Sequence, residues 1–187
     1  MEVFSGLTAD TDQTTNPQKD MFVEFEELGD SSKIWIYQAD RFITTSEVKV
    51  IEETLTAFCG QWTAHGQPLR TSFKIVHHYF IILGVDERYS NASGCSIDGS
   101  VHTLKALQQE LNIDFFDRSR VAFLINNEVK MYSIPDVKKF FSAREMDAKT
   151  LVFNSIITTK AELNTKWLVP AGESWIAKYL PNTVVVS

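Results

Sequence analysis

The alternation of hydrophobic and polar residues along the chain predicts short strands separated by two long amphipathic helices. Five runs rich in β-branched and aromatic residues have the length and flanking turn residues of strands. They lie at Ile34–Gln38, Leu69–His77, Tyr79–Asp86, Arg120–Ile125 and Val129–Tyr132. His77-His78 and Asn126-Asn127 separate neighbouring runs, and we therefore expect a hairpin turn at each pair.

Two helices are predicted where apolar residues recur three and four positions apart. Thr44-x-x-Glu47 has the form of a capping box, and Gly66 and Pro68 lie where the first helix should have ended. Its apolar face carries Val48, Ile51, Leu55, Cys59 and Trp62. The second helix follows a polar loop at 87–94, and its predicted buried stripe consists of Ile97, Val101, Leu104, Gln108 and Leu111.

The order of these elements predicts an α+β fold. Up to Ile125 the chain reads β-α-β-β-α-β, which is the ferredoxin-like arrangement of an antiparallel sheet with both helices on one face. We predict a single domain over residues 21–187, with a C-terminal αβ extension from about residue 126. In that extension, Ser133-x-x-Asp136 and Thr159-x-x-Glu162 are predicted to cap short helices, and Leu151–Ile157 to form a strand.

The N-terminal segment differs in composition from the rest of the chain. Residues 1–20 are polar and without hydrophobic period, which predicts a disordered tail and makes Met21 a possible start of the folded unit. The net charge is −6, of which residues 1–32 carry −7 (eight acids, one base) and the other 155 residues carry +1. Residues 33–187 are thus nearly neutral, and they lack the basic stripe of a protein that binds phosphate backbones nonspecifically.

Cysteine content and hydropathy predict a cytoplasmic protein without membrane segments. No apolar run approaches the roughly 18 residues of a membrane helix, and the N-terminus does not resemble a secretory signal. Cys59 and Cys95 are too few for a disulfide framework, and Cys59 falls within the apolar face of the first helix. No Cys-x-x-Cys or His-x-x-x-His pattern is present, so we predict no metal site and no cofactor.

The segment Asn91–Ser100 is the strongest candidate for a binding site. It joins a buried strand to a helix and contains two glycines, three serines, a cysteine and an aspartate. Glycines allow close backbone approach, and the N–H groups of a first helical turn favour an anion. The candidate ligand-binding residues are Ser93, Gly94, Cys95, Ser96, Asp98 and Gly99. A structural interpretation stays open, in which Ser96 is the N-cap, the glycines shape a turn and Cys95 fills a small space.

An alternative is a thiol-dependent enzyme or redox sensor. The helix N-terminus would favour the thiolate of Cys95, and Asp98 or His102 could assist it. Asp86, at the end of its strand, would instead raise the pKa of a neighbouring thiol. We expect His65 to lie towards the opposite end of the sheet from Cys95.

A second alternative is RNA binding on the sheet. Trp35 and Tyr37, with Tyr79 or Phe80, could present aromatic rings on an open face. The glycines and basic residues of the RNA-recognition consensus are missing around these aromatics, and the acidic N-terminal segment opposes such binding.

Four segments together resemble a family of small bacterial proteins, chiefly of the Bacteroidota, whose members are often labelled "ABC transporter ATPase". The segments are Ile34–Arg41, Gln61–Gly66, Ser93–Asp98 and Val152–Asn154, and the resemblance extends over roughly 21–179. It implies no residue with a known role, because this chain contains no G-x-x-x-x-G-K-[ST] phosphate loop. The sequence therefore predicts a non-catalytic module that binds a small anion or a protein partner.

Overall fold

The computed structural model describes residues 21–181, and the tail predicted over 1–20 lies outside them. The strands are β1 Lys33–Gln38, β2 Thr63–Ala64, β3 Gln67–Pro68, β4 Thr71–Val76, β5 Phe80–Val85, β6 Arg120–Ile125, β7 Glu128–Ser133, β8 Leu151–Phe153 and β9 Leu168–Pro170. The helices are α1 Thr45–Gln61, α2 Gly94–Leu111, α3 Ile134–Ser142 and α4 Lys160–Lys166, with short 3-10 turns at Phe25–Glu27, Ala171–Glu173 and Trp175–Tyr179. In the described range no helix combines the length and the apolar character needed to cross a membrane.

The first sheet has the antiparallel order β1-β5-β4, and α1 and α2 cover one of its faces. Every residue of the central strand β5 is buried, since the sheet is covered on both sides. Ile51 and Leu55 of α1 and Leu104 of α2 are fully buried beneath the helices. Cys59 is buried in this core, as its place on the apolar face of α1 predicted, and burial raises the pKa of its thiol to about 12.

The second sheet has the antiparallel order β7-β6-β8-β9 and packs one face on α3. Its other face meets the first sheet, because alternate residues of a strand point to opposite faces. Phe80 of β5, Ala122 of β6 and Phe153 of β8 form the buried contact between the two sheets.

The local sequence signals are confirmed. Thr44 accepts from the backbone of Glu47 and completes a capping box at α1. Ser133 and Thr159 are the N-caps of α3 and α4. The turns at His77-His78 and Asn126-Asn127 both have positive φ at both residues, which is the geometry of tight hairpin turns.

The α+β class is observed, but the ferredoxin-like strand order is not confirmed. That order would place β6 beside β1, whereas β6 pairs with β7 and β8 in the second sheet. The tight turn at Asn126-Asn127 pairs β6 with β7. In addition, both faces of β6 are apolar, so each face must be buried against another layer. The second sheet therefore begins at Arg120, and the strand predicted over Leu151–Ile157 ends at Phe153.

The buried stripe of α2 is rotated from its predicted position. Its buried residues are Ser96, Ser100, Leu104 and Leu107, whereas Ile97, Val101, Gln108 and Leu111 are half-buried. Small serines allow α1 to lie close, and a Cβ added at Gly99 would be 3.8 Å from the ring of Phe58. A hydrophobic pattern does not register such small polar residues as buried.

Candidate functional site

The serines of Asn91–Ser100 cap α2. The N-cap of α2 is Ser93. The structural interpretation of the sequence had placed the N-cap at Ser96, which is wrong. The Ser93 N–H donates to Ser96 Oγ (2.8 Å) and the Ser96 N–H donates to Ser93 Oγ (3.2 Å), which is a reciprocal capping box. The polar groups of both serines are therefore used within the helix terminus.

The glycines of this segment do not make a close approach to anything within residues 21–181. A Cβ added at Gly94 would meet open space, and Gly99 has only the ordinary contact with Phe58. Gly94, Cys95 and Asp98 are exposed on the first turns of α2. The structure thus presents this segment as a helix start facing solvent.

The predicted catalytic candidates are not brought together. Cys95, Asp98 and His102 are all exposed, so Cys95 does not fill a small space, and no hydrogen bond joins them among the described residues. The fully buried Asp86 is held by Arg88, whose Nη2 donates to Asp86 Oδ2 (2.6 Å) and whose Nε donates to Oδ1 (2.9 Å). These bonds from Arg88 lower the pKa of the Asp86 carboxyl.

The C-terminus of α1 and the N-terminus of α2 lie at the same end of the sheet, which contradicts the expectation for His65 and Cys95. The buried indole N–H of Trp62 donates to the Ser96 carbonyl (2.8 Å). Helix α1 follows β1 and α2 follows β5, and these two strands are antiparallel, so they end at opposite ends of the sheet. The two helices therefore run antiparallel, and the end of α1 lies beside the start of α2. His65 is exposed on the turn between β2 and β3.

The aromatic residues of the RNA alternative do not lie together on an open sheet face. Trp35 and Tyr37 pack under the helices, against Trp62 and Phe116 respectively. Phe80 is fully buried between the sheets. These three rings therefore do not share one open face, and the fourth residue of that alternative, Tyr79, is half-buried beside Phe42.

A groove runs along the outer edge of β1, on the side away from β5. Two adjoining cavities of about 800 Å³ and about 330 Å³ form it, and they share six lining residues. We call it the edge groove; the shared residues are Ile36, Tyr37, Phe116, Arg118, Ser155 and Ile156. Ile97, Val101 and Lys105 of α2 complete one wall, and Ile156 is 67% exposed at the other.

The charged side chains of the edge groove are mostly cationic. Lys33, Lys105, Arg118 and Arg120 line it, against the single carboxylate of Asp117. Lys33 pairs with Glu87 (2.9 Å) and Arg120 approaches Asp117 (3.8 Å). Lys105 and Arg118 are exposed and form no ion pair within residues 21–181. This cationic excess stands out on a chain of net charge −6.

Metal coordination has no support in the described range. No group of three or more His, Cys, Asp or Glu side chains in residues 21–181 could hold a metal ion. The only titratable groups that line the edge groove are Tyr37, the four cations and Asp117. Burial raises the pKa of the Tyr37 phenol, and the charge of Arg118 acts in the opposite direction.

The sequence interpretation missed the edge groove and its residues. Arg118-x-Arg120, at the start of β6, was the available signal, but these two cations line a groove only because no strand within residues 21–181 pairs with the outer edge of β1. Of the segment Asn91–Ser100, Ile97 is the residue that contributes to the groove wall.

Comparison with known proteins leaves the site to be interpreted from its own geometry. No protein-family model, curated protein or solved structure was found to match this chain.

Proposed function

We propose that this protein is a non-catalytic binding module that holds an anionic ligand in the edge groove. The observation that carries this proposal is the pair of exposed cations, Lys105 and Arg118, without ion-pair partners in the described range. Both flank a concave surface with apolar walls.

The shape of the edge groove strengthens the effect of these charges. Clefts lined by charges of one sign, with walls of low dielectric constant, focus the field and attract counter-ions. Ile36, Ile97, Val101 and Phe116 supply apolar lining beside the cations. Known ligand sites are also mostly apolar with a few placed polar groups, and each of the two cavities falls within their volume range of about 300–1,000 Å³.

The absence of a catalytic set favours binding over catalysis. General acid–base or nucleophilic catalysis requires an activated group within hydrogen-bond reach of its partner. The lining side chains described above include no such pair, and Cys95 lies outside the groove lining. Cations without a reactive partner hold and orient an anion.

Removing the two unpaired cations tests the proposal. We expect the Lys105→Gln/Arg118→Gln double variant to bind an acidic probe about tenfold or more weakly, because two charge contacts are lost. Isothermal titration calorimetry with citrate, inorganic phosphate and a short glutamate-containing peptide at low salt measures this loss. Raised salt should weaken binding to the unmodified protein as well, because exposed charges are screened.

The matched control is Lys49→Gln/Lys139→Gln, which removes the same charge from exposed positions on α1 and α3. If the control weakens binding equally, only net charge matters and the site assignment is wrong. If no probe of the panel binds, the proposed function itself is wrong.

A further inference from the structure

The outer edge of β1 contains a gap in its backbone hydrogen-bond ladder. At one end the Ile34 N–H donates to Thr158 O (2.9 Å), and at the other end the Asp40 N–H donates to Asp114 O (2.9 Å). Backbone groups of alternate strand residues point to the same edge. The N–H and C=O of Ile36 therefore face outward between these two contacts, and no partner for them is found among residues 21–181.

The gap includes Gln38 as well as Ile36. The backbone groups of Gln38 face the same edge, where its side-chain Nε2 donates to Arg120 O (3.4 Å). The ladder stops at Thr158 because its N–H donates to Glu162 Oε2 (3.0 Å) instead of pairing with β1. From Ile34 to Asp40 the gap is about 20 Å long, since a strand rises about 3.3 Å per residue.

We infer that the ligand of the edge groove is an extended acidic polypeptide segment of a partner protein, which adds to β1 as a strand. This inference rests on the proposed anion-binding function. An exposed strand edge is a template for another strand, and main-chain hydrogen bonds supply affinity in such complexes. The gap accommodates about three to five residues in extended conformation.

The walls of the edge groove define the side chains of the partner. Alternate residues of an added strand point to opposite faces. One set faces Lys105 and Arg118 on the α2 side, and the other faces Ile156 and Trp175. The groove therefore fits a segment in which acidic residues alternate with apolar residues.

A second copy of this chain fits the edge groove poorly. Two copies related by a two-fold axis would place the same patch against itself. Lys105 and Arg118 would then face the same cations of the other copy, and like charges in contact are unfavourable. Charge complementarity thus favours an acidic partner.

The test uses the full chain and a capped peptide of sequence Val-Glu-Val-Glu-Val. Amide exchange measured by NMR should slow at Ile36 and Gln38 when the peptide binds, because their N–H groups gain acceptors. Trp35 and Tyr37 are internal controls, since their N–H groups already face β5. Two further peptides carry an N-methyl group at one or the other of two adjacent residues. In an added strand the N–H groups of alternate residues face β1, so one methylated peptide should lose about tenfold or more in affinity and the other little.

The outcomes separate this inference from the proposed function. If the peptide binds through Arg118 but both methylated peptides bind equally and Ile36 stays unprotected, strand addition is wrong and anion binding stands. If Ile36 is protected without peptide in a concentration-dependent dimer, a second copy is the occupant. If removing residues 182–187 exposes a protected Ile36, the occupant is that segment, and the inference is overturned. If neither the peptide nor any small anion binds, both proposals fail.

Discussion

At the scale of single residues, Arg41 and Glu47 connect the two helices. The Arg41 guanidinium donates to both carboxylate oxygens of Glu47 (2.8 and 3.0 Å) and to Leu111 O (2.8 Å). Glu47 also accepts from the Thr44 N–H (2.8 Å). The start of α1 is thereby fixed to the end of α2, where a cation also interacts favourably with the helix dipole.

Glu47 predicts a particular pH dependence of stability. Hydrogen bonds from Arg41, followed by that from the Thr44 backbone, lower the pKa of Glu47 from 4.5 to about 2. The folded state thus binds fewer protons than the unfolded state in this window, and stability falls as pH decreases from about 4.5 towards 2. Glu47→Gln should flatten this part of the curve of unfolding free energy against pH, measured by urea denaturation.

The control is Glu110→Gln, at an exposed position of α2 whose side chain makes no hydrogen bond within residues 21–181. At neutral pH we expect Glu47→Gln to cost up to about 1 kcal/mol, because the ion pair with Arg41 is lost while glutamine can still serve in the capping box. Parallel curves for Glu47→Gln and the unmodified protein below pH 4.5 would contradict the assignment.

At the scale of elements, α2 shows how a neighbouring helix decides which face is buried. Trp62 anchors its first turn and Arg41 its last. Between these anchors the small residues Ser96 and Ser100 lie against the core. The apolar pattern alone had favoured the stripe through Leu111.

Substitutions on α2 distinguish the two stripes. Leu107→Ala should destabilise the protein by about 2–5 kcal/mol, because it leaves a cavity at a position that is 1% exposed. Leu111→Ala should cost clearly less, because that side chain is half-buried. Urea denaturation measures both changes. An equal or larger loss for Leu111→Ala would mean that the helix is rotated as the sequence pattern predicted.

At the scale of the whole molecule, one aromatic cluster joins the two sheets. The ring of Phe80 lies 4.8 Å from that of Phe153 and 5.2 Å from that of Trp167, measured between centroids. Lys160, which is buried, donates to the carbonyls of Glu26 (2.6 Å) and Leu28 (2.5 Å) and fixes the N-terminal segment over the first sheet. The two sheets are thus joined through this cluster.

Phe80→Ala tests this coupling. We expect a loss of about 3–5 kcal/mol in unfolding free energy. Hydrogen exchange should accelerate in β6 as well as in β5, because the lost contacts belong to both sheets. Phe73→Ala, at a half-buried position of β4, is the control and should cost less. Faster exchange confined to β5 would show that the sheets unfold independently.

The sequence by itself determined the local structure of this protein. Thr44 and Glu47, Asn126 and Asn127, and the caps of α3 and α4 act through contacts within a few residues. The physics of a cap or a tight turn is complete within such a short segment, so the pattern is sufficient to predict it. The element order and the α+β class follow from these local signals.

Only the tertiary structure decided strand order and the position of the candidate site. Backbone groups are chemically alike along every strand edge, so β1 carries no signal that Thr158 and Asp114 will pair with its ends and leave Ile36 open. The partner of β6 depends on burying both of its faces at once, which involves residues far apart in sequence. The edge groove exists because that competition left the outer edge of β1 without a strand.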